Sequence, residues 1–144
     1  MTIHTFDTPT IDLNFFGPNA HHHHTGMATS SIESICGSGV AVDDPIQRVR
    51  VAFIRINGLM VELVEPWDDK APVALSLKKG IKILHLCYTV PNLKESLKHC
   101  RPHGLLPISK PQPAVAFGGR LITWVFSNQY GLFELIENGD QNGS

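Results

Sequence analysis

Two histidines and two glutamates recur at matching places along the chain: His24 and Glu62 in its first half, His85 and Glu134 in its second. Such a set offers two imidazole nitrogens and two carboxylate oxygens. These donors suit Zn, Ni, Co, Mn or Fe(II) and leave room for water or substrate. Two carboxylates neutralise a divalent cation, which offsets the cost of burying them. The two carboxylates are also candidate catalytic groups, since a carboxylate can take or give a proton. A lone His or Glu on a strand is most often a surface residue; the paired recurrence singles these four out. His24 ends the run His21 to His24, so its register is the least fixed. A shift of two would put His22 on the same face.

The elements that would carry these residues echo each other. HHTGMATSSIESI leads to VRVAFIRINGLMVELVEP in the first half, and ILHLCYTVPNLKESLKHC leads to GRLITWVFSNQYGLFELIEN in the second. Each half reads as strand, helix, then a strand pair closed by a Gly turn, at Asn57-Gly58 and Tyr130-Gly131. In LMVELVEP, Met60, Glu62 and Val64 share one face; in LFELIE, Glu134 stands between Phe133 and Leu135. A carboxylate so flanked must meet water, a partner or a metal. Asn92 is an N-cap with Glu95 three residues on, and Gly104 stops that helix. The first-half helix is short, Ser30 to Cys36, closed by Gly37. Residues 1–20 read as an arm with one short strand, Ile11 to Phe16. Residues 138–144 read as a disordered tail. One domain is expected over residues 21–137, with modules 21–66 and 81–137 and a linker 67–80.

Composition excludes several classes. The 144 residues are 42% hydrophobic and 17% charged, enough apolar content for one domain core. A net charge of −1 provides no positive field for nucleic acid, and no basic amphipathic run points to a membrane surface. No apolar stretch approaches the length of a spanning helix, and the N-terminal stretch lacks a secretory core. Cys36, Cys87 and Cys100 are odd in number and lack metal-site spacing. They read as free thiols in a reducing cytoplasm. Phe53, Met60, Trp124 and Arg120 are candidate substrate contacts, and Cys87 shares a strand face with His85. The irregular stretch Pro107 to Gly119, marked by its Pro and Gly content, is expected to cover the site.

These motifs resemble the vicinal-oxygen-chelate superfamily, also called glyoxalase/bleomycin-resistance/dioxygenase proteins, over residues 22–137. H-H-x-G-x-A stands as His23-His24-Thr25-Gly26-Met27-Ala28, and E-L-x-x-P as Glu62-Leu63-Val64-Glu65-Pro66. The second-module histidine motif stands as Leu84-His85 through Val90, and the final acidic motif as Gly131 to Leu135. The resemblance implies an α+β fold of two βαβββ modules forming a half-barrel around a divalent metal held by His24, Glu62, His85 and Glu134. It also implies a homodimer and a small-molecule substrate. Within the superfamily the linker, Pro66 to Pro72 and Leu77 to Gly80, is most similar to that of methylmalonyl-CoA epimerases. That likeness implies proton abstraction beside a carbonyl or thioester, with Glu134 the base and Glu62 opposite returning the proton, and an acyl-CoA substrate for which Lys78, Lys79, Lys82, Lys110 and Arg120 are the candidate cationic contacts. Bacterial glyoxalase I has the same donor set, which keeps open a lyase acting on a thiol hemithioacetal. A non-catalytic resistance-type binder is the third reading. Three departures stand out. The first helix and its loop are shorter by roughly ten residues on the repeat comparison. Leu84 replaces a His of the epimerase pattern, and the strand Val49 to Arg55 carries no carboxylate.

Overall fold

Period-two alternation places the chain in one mixed sheet, described here from a computed structural model covering residues 8–139. Residues 1–7 of the arm and 140–144 of the expected tail lie outside the described residues. The first half runs β1 (His21–Ala28), α1 (Glu33–Cys36), β2 (Val42–Asp44), β3 (Val49–Ile56) and β4 (Leu59–Pro66). After α2 (Pro72–Lys78), the second half runs β5 (Ile83–Val90), α3 (Leu93–Cys100), β6 (Leu106–Pro107), β7 (Gln112–Pro113), β8 (Leu121–Ser127) and β9 (Gly131–Glu137). The strand order is β2-β3-β4-β1-β5-β9-β8-β6, with β7 also on β8. β1 lies parallel to β4, β5 lies parallel to β9, and β1 and β5 are antiparallel neighbours. That order reads the same from either edge under exchange of the halves, so an approximate two-fold passes between β1 and β5. The sheet is open, the α+β half-barrel that the resemblance implied.

One face packs on the helices. Ile32, Ala52, Val61 and Leu63 bury the first half there, and Val90, Leu93, Cys100, Val125 and Leu135 bury the second. Each half ties its helix down with the glutamate three residues past its candidate ligand. Glu65 accepts the backbone N–H of Ile32 at 2.8 Å, and Glu137 accepts that of Leu93 at 3.0 Å. Both carboxylates meet the positive end of a helix or helical turn, where negative charge is favoured. In α3, Asn92 caps as expected, its side chain accepting from Glu95 N at 3.0 Å. The Glu95 carboxylate pairs with Lys98 instead of closing the capping box. Asn57 and Gly58 both have positive φ, 47° and 91°, the mirror-image turn that Asn-Gly favours.

Three expectations change. The first-half helix keeps only the turn Glu33–Cys36, because Ile32 turns inward to the core at 1% exposure. The linker carries α2, which Pro72 at its first turn and Gly80 beyond its end announce. Ile11 to Phe16 is not a strand. Phe15 and Phe16 are consecutive yet both buried, which alternation forbids. Phe16 packs on Tyr88 and Phe133 with ring centroids 4.9 and 5.4 Å away. The arm is therefore anchored by two aromatic rings and not by a ladder. Phe16→Ala should cost about 3–5 kcal/mol in urea denaturation, whereas Ile11→Ala, 80% exposed, should stay within about 0.5 kcal/mol.

Candidate metal centre

The four side chains singled out by the repeat stand on the four central strands, β4, β1, β5 and β9. Cross-strand partners face the same side of a sheet, so the register fixes who meets whom. Glu62 is opposite Gly26, and Gly26 is opposite His85. Glu134 is opposite Cys87, and Cys87 is opposite His24. Two rungs result, Glu62–Gly26–His85 and Glu134–Cys87–His24, exchanged by the two-fold. One donor atom from each of His24, Glu62, His85 and Glu134 lies within 4.8 Å of the others. All four residues are buried, at 0%, 6%, 5% and 3% exposure.

The middle residue of each rung must be small. A Cβ on Gly26 would lie 2.1 Å from Cε1 of His85, inside the space the imidazole fills. The equivalent Cys87 has room for a thiol, and burial pushes that thiol above its usual range. Gly26 stands in the quoted motif, but its role becomes visible only with the register.

His24 Nε2 lies 3.2 Å from an oxygen of Glu62 and 3.2 Å from one of Glu134. His85 Nε2 lies 3.6 and 3.2 Å from the same oxygens, and 3.4 Å from His24 Nε2. Donors sharing one ion at about 2.0–2.2 Å stand about 3–3.6 Å apart. Glu134 Oε1 is close enough for charge pairing, yet it is buried with no hydrogen-bond partner among the described residues. A buried carboxylate oxygen left so is costly, and a shared cation would satisfy it. The donor set thus fits a divalent ion.

Without an ion, the carboxylates favour the protonated form of the imidazoles. Burial works against a charge on His85, but the facing carboxylates of Glu134 and Glu62 outweigh it and raise its pKa to about 9. His24 is raised by the same balance. For Glu134, burial is outweighed by the two imidazoles, which hold it at about 2.

The four-His run resolves through a bulge. The β1–β5 register shifts between His22 and His24, so both His23 and His24 turn to the site. His22 turns away onto Tyr88, with ring centroids 5.6 Å apart, and so does not share the His24 face. Aromatic rings wedge the two candidate ligand histidines. Phe117 stacks on His24 at 5.7 Å and 21°, Phe53 meets it edge-on at 5.4 Å, and Trp124 meets His85 edge-on at 4.7 Å. Phe117 comes from the Pro107–Gly119 stretch, which therefore reaches over the site; nothing in its own sequence marked that residue.

A cavity of about 270 Å³ adjoins the cluster, with Glu62, His85, Glu134 and Trp124 in its wall and Val49, Val51, Val64 and Ile122 around them. Of the candidate substrate contacts, Trp124 lines it; Phe53, Met60 and Arg120 do not. Lys78, Lys79, Lys82 and Lys110 are exposed, and among the described residues no Lys or Arg lines the cavity. Asp44 and Gln47 stand at its polar end.

The profile of the glyoxalase/bleomycin resistance protein/dioxygenase superfamily matches residues 23–124. The chain belongs to this superfamily. The match takes in three of the four donors, with Glu134 ten residues past its end. An ethylmalonyl-CoA/methylmalonyl-CoA epimerase of Cereibacter sphaeroides is 23% identical over 94 residues, covering 64% of this chain and 70% of that one. A hypothetical protein from Bacillus halodurans superposes with TM-score 0.71 at 26% identity, over 85% of this chain and 97% of that one. A Streptomyces coelicolor methylmalonyl-CoA epimerase variant in complex with 2-nitronate-propionyl-CoA has TM-score 0.67 at 20% identity, over 83% and 98%. These relatives share the superfamily fold. Among the described residues no helix is long and apolar enough to cross a membrane.

Two predictions follow from the rungs and the charges. Gly26→Ala should displace His85 and weaken Zn2+ binding about 10–100-fold or more in calorimetric titration, whereas Cys87→Ala should leave it unchanged. In ion-free protein, His85 has its raised pKa only when folded. Its pairing therefore adds stability in full below pH 6.5, lost as pH rises through about 9. Glu134 adds stability above pH 4.5, lost as pH falls towards about 2. Melting of chelator-treated protein should peak between those limits, pH 4.5 and 6.5; a melting temperature still rising from pH 6.5 to 9 would contradict this.

Proposed function

We propose that this chain is a metal-dependent isomerase or epimerase that removes a proton next to a carbonyl or thioester, in the manner of a methylmalonyl-CoA epimerase. The observation that carries the reading is the meeting of two carboxylates, Glu62 and Glu134, from strands exchanged by the two-fold. They meet across a histidine pair at the wall of an apolar cavity. The epimerase relatives support the substrate class, an acyl-CoA.

His24, His85, Glu62 and Glu134 would hold the ion, for which their nitrogen and oxygen donors suit Zn, Ni, Co, Mn or Fe(II). When bound, such an ion polarises a carbonyl oxygen and so acidifies the adjacent carbon. Glu134 then acts as the base; its carboxylate is ionised at neutral pH, being held at about 2 even without an ion. Glu62, reaching the centre from β4 on the other side of the two-fold, gives a proton of its own to the opposite face of the carbon, and the proton taken up by Glu134 passes to solvent. Val51, Val64 and Ile122 keep bulk water from the carbanion, while Trp124 holds the edge of His85. The donor set is complete within one chain. The open edges β2 and β6 support a homodimer, and three unpaired cysteines support a reducing, cytoplasmic setting.

One observation favours retaining a second reading, a glyoxalase I-like lyase on a thiol hemithioacetal. No cation among the described residues lines the cavity to attract the acidic methylmalonyl group. Deuterium uptake at the carbon between the carbonyls of methylmalonyl-CoA decides between them. Uptake should depend on added metal and fall about 10²–10⁴-fold in Glu134→Gln. No uptake at any metal loading, with turnover of the hemithioacetal, would replace the first reading by the second. Inactivity on both would leave a binding protein.

A further inference from the structure

The bulge in β1 creates a contact that the chemistry above does not use. His23 Nδ1 lies 2.8 Å from His24 Nδ1. Two such nitrogens share one proton, so one ring donates and the other accepts. The donor cluster decides which. His24 Nε2 faces Glu62, Glu134 and Nε2 of His85, and a ligating nitrogen must present its lone pair there. A neutral imidazole has one N–H, so that of His24 is on Nδ1 and points at His23. His23 accepts through Nδ1 and keeps its own proton on Nε2.

We infer that His23 is a positioning residue for the ligand His24: it fixes the tautomer and the ring angle at which Nε2 meets the ion. Metal-binding histidines normally donate their second N–H to a carboxylate, a carbonyl or water; here a second imidazole takes that place. His23 is itself held. Its ring meets Phe53 edge-on at 6.2 Å and Phe117 edge-on at 5.7 Å, and Phe117 stacks on His24. The device belongs to the first half alone. The residue before His85 is the apolar Leu84, which packs with Val49, Val51 and Val64. Among the described residues no side chain bonds His85 Nδ1.

The inference rests on the metal reading proposed above, and the test separates the two. Zn2+ binding is measured by calorimetry in the parent protein, in His23→Phe and in His23→Asn. Phe keeps the ring contacts and removes the acceptor; Asn restores an acceptor where Nδ1 was. Long-range ¹⁵N–¹H spectra of the Zn2+-loaded parent report the His24 tautomer without any variant, and so stand if a variant fails to fold. The parent should take one equivalent, with the His24 proton on Nδ1. His23→Phe should bind about 10–100-fold more weakly with unchanged ion-free melting, and His23→Asn within about threefold of the parent. Equal binding in His23→Phe, equal weakening in both variants, or a His24 proton on Nε2 overturns the role of His23 and leaves the metal reading standing. A second equivalent that His23→Phe removes would also overturn it. That result would assign an ion to His23, His24 and Cys87, whose donor atoms also lie within 4.8 Å of one another. No stoichiometric Zn2+ in the parent overturns both.

Discussion

Two carboxylates and two imidazoles, all nearly without solvent, share one small volume, and the rest of the molecule is arranged around that fact. Burying an uncompensated carboxylate costs several kcal/mol, and a domain of this size has only about 5–15 kcal/mol of net stability. Glu62 and Glu134 are sustainable side by side only because something positive stands between them. In the ion-free protein the two histidines stand there, and the facing carboxylates raise the pKa of both. Glu134 Oε1, 3.2 Å from Nε2 of both histidines, is held by charge pairing without a hydrogen bond among the described residues.

The geometry that enforces the meeting is the antiparallel contact of β1 with β5. It makes one strand of each half central, gives each a parallel neighbour with the partner glutamate, and exchanges the rungs through Gly26 and Cys87. The same two strands, β4 and β9, also reach the other face, where Glu65 and Glu137 hold the helices. A single acidic strand thus links helix placement to ligand placement in each half. The symmetry is broken on purpose-built terms at one end. The bulge at His23 and the crossing of Phe117 give His24 a wedged and hydrogen-bonded environment, while His85 rests against Gly26 and Trp124.

Much of this was legible in the residues. Alternation placed Glu62 and Glu134 among apolar neighbours, Asn57-Gly58 and Gly131 marked the hairpins, and the recurrence of the halves paired the ligands. The α+β class and the superfamily were readable for the same reason, since both rest on local periodicity and short motifs. What failed depends on tertiary contacts. The Ile11 to Phe16 segment alternates in type, yet Phe15 and Phe16 are pulled together into one aromatic pocket. The His22 alternative assumed a regular strand, and a bulge is set by the neighbouring strand, not by four identical residues. Phe117 reaches His24 through a loop crossing that no periodicity encodes. The helix α2 has its Pro72 and Gly80 signals, but over seven residues such local signals do not separate a helix from a connector. Leu84, which stands where the epimerase pattern has a His, and Val51, on the strand Val49 to Arg55 that lacks a carboxylate, both line the cavity.

The central claim is that the four side chains hold one ion. Anomalous diffraction at the metal edge, on crystals of protein loaded with one equivalent of Zn2+, tests it most directly. The account predicts a single peak about 2.0–2.2 Å from Nε2 of His24, Nε2 of His85 and a carboxylate oxygen of each of Glu62 and Glu134. A peak confined to the exposed His21–His22 end of the run, or none at full loading, would contradict it.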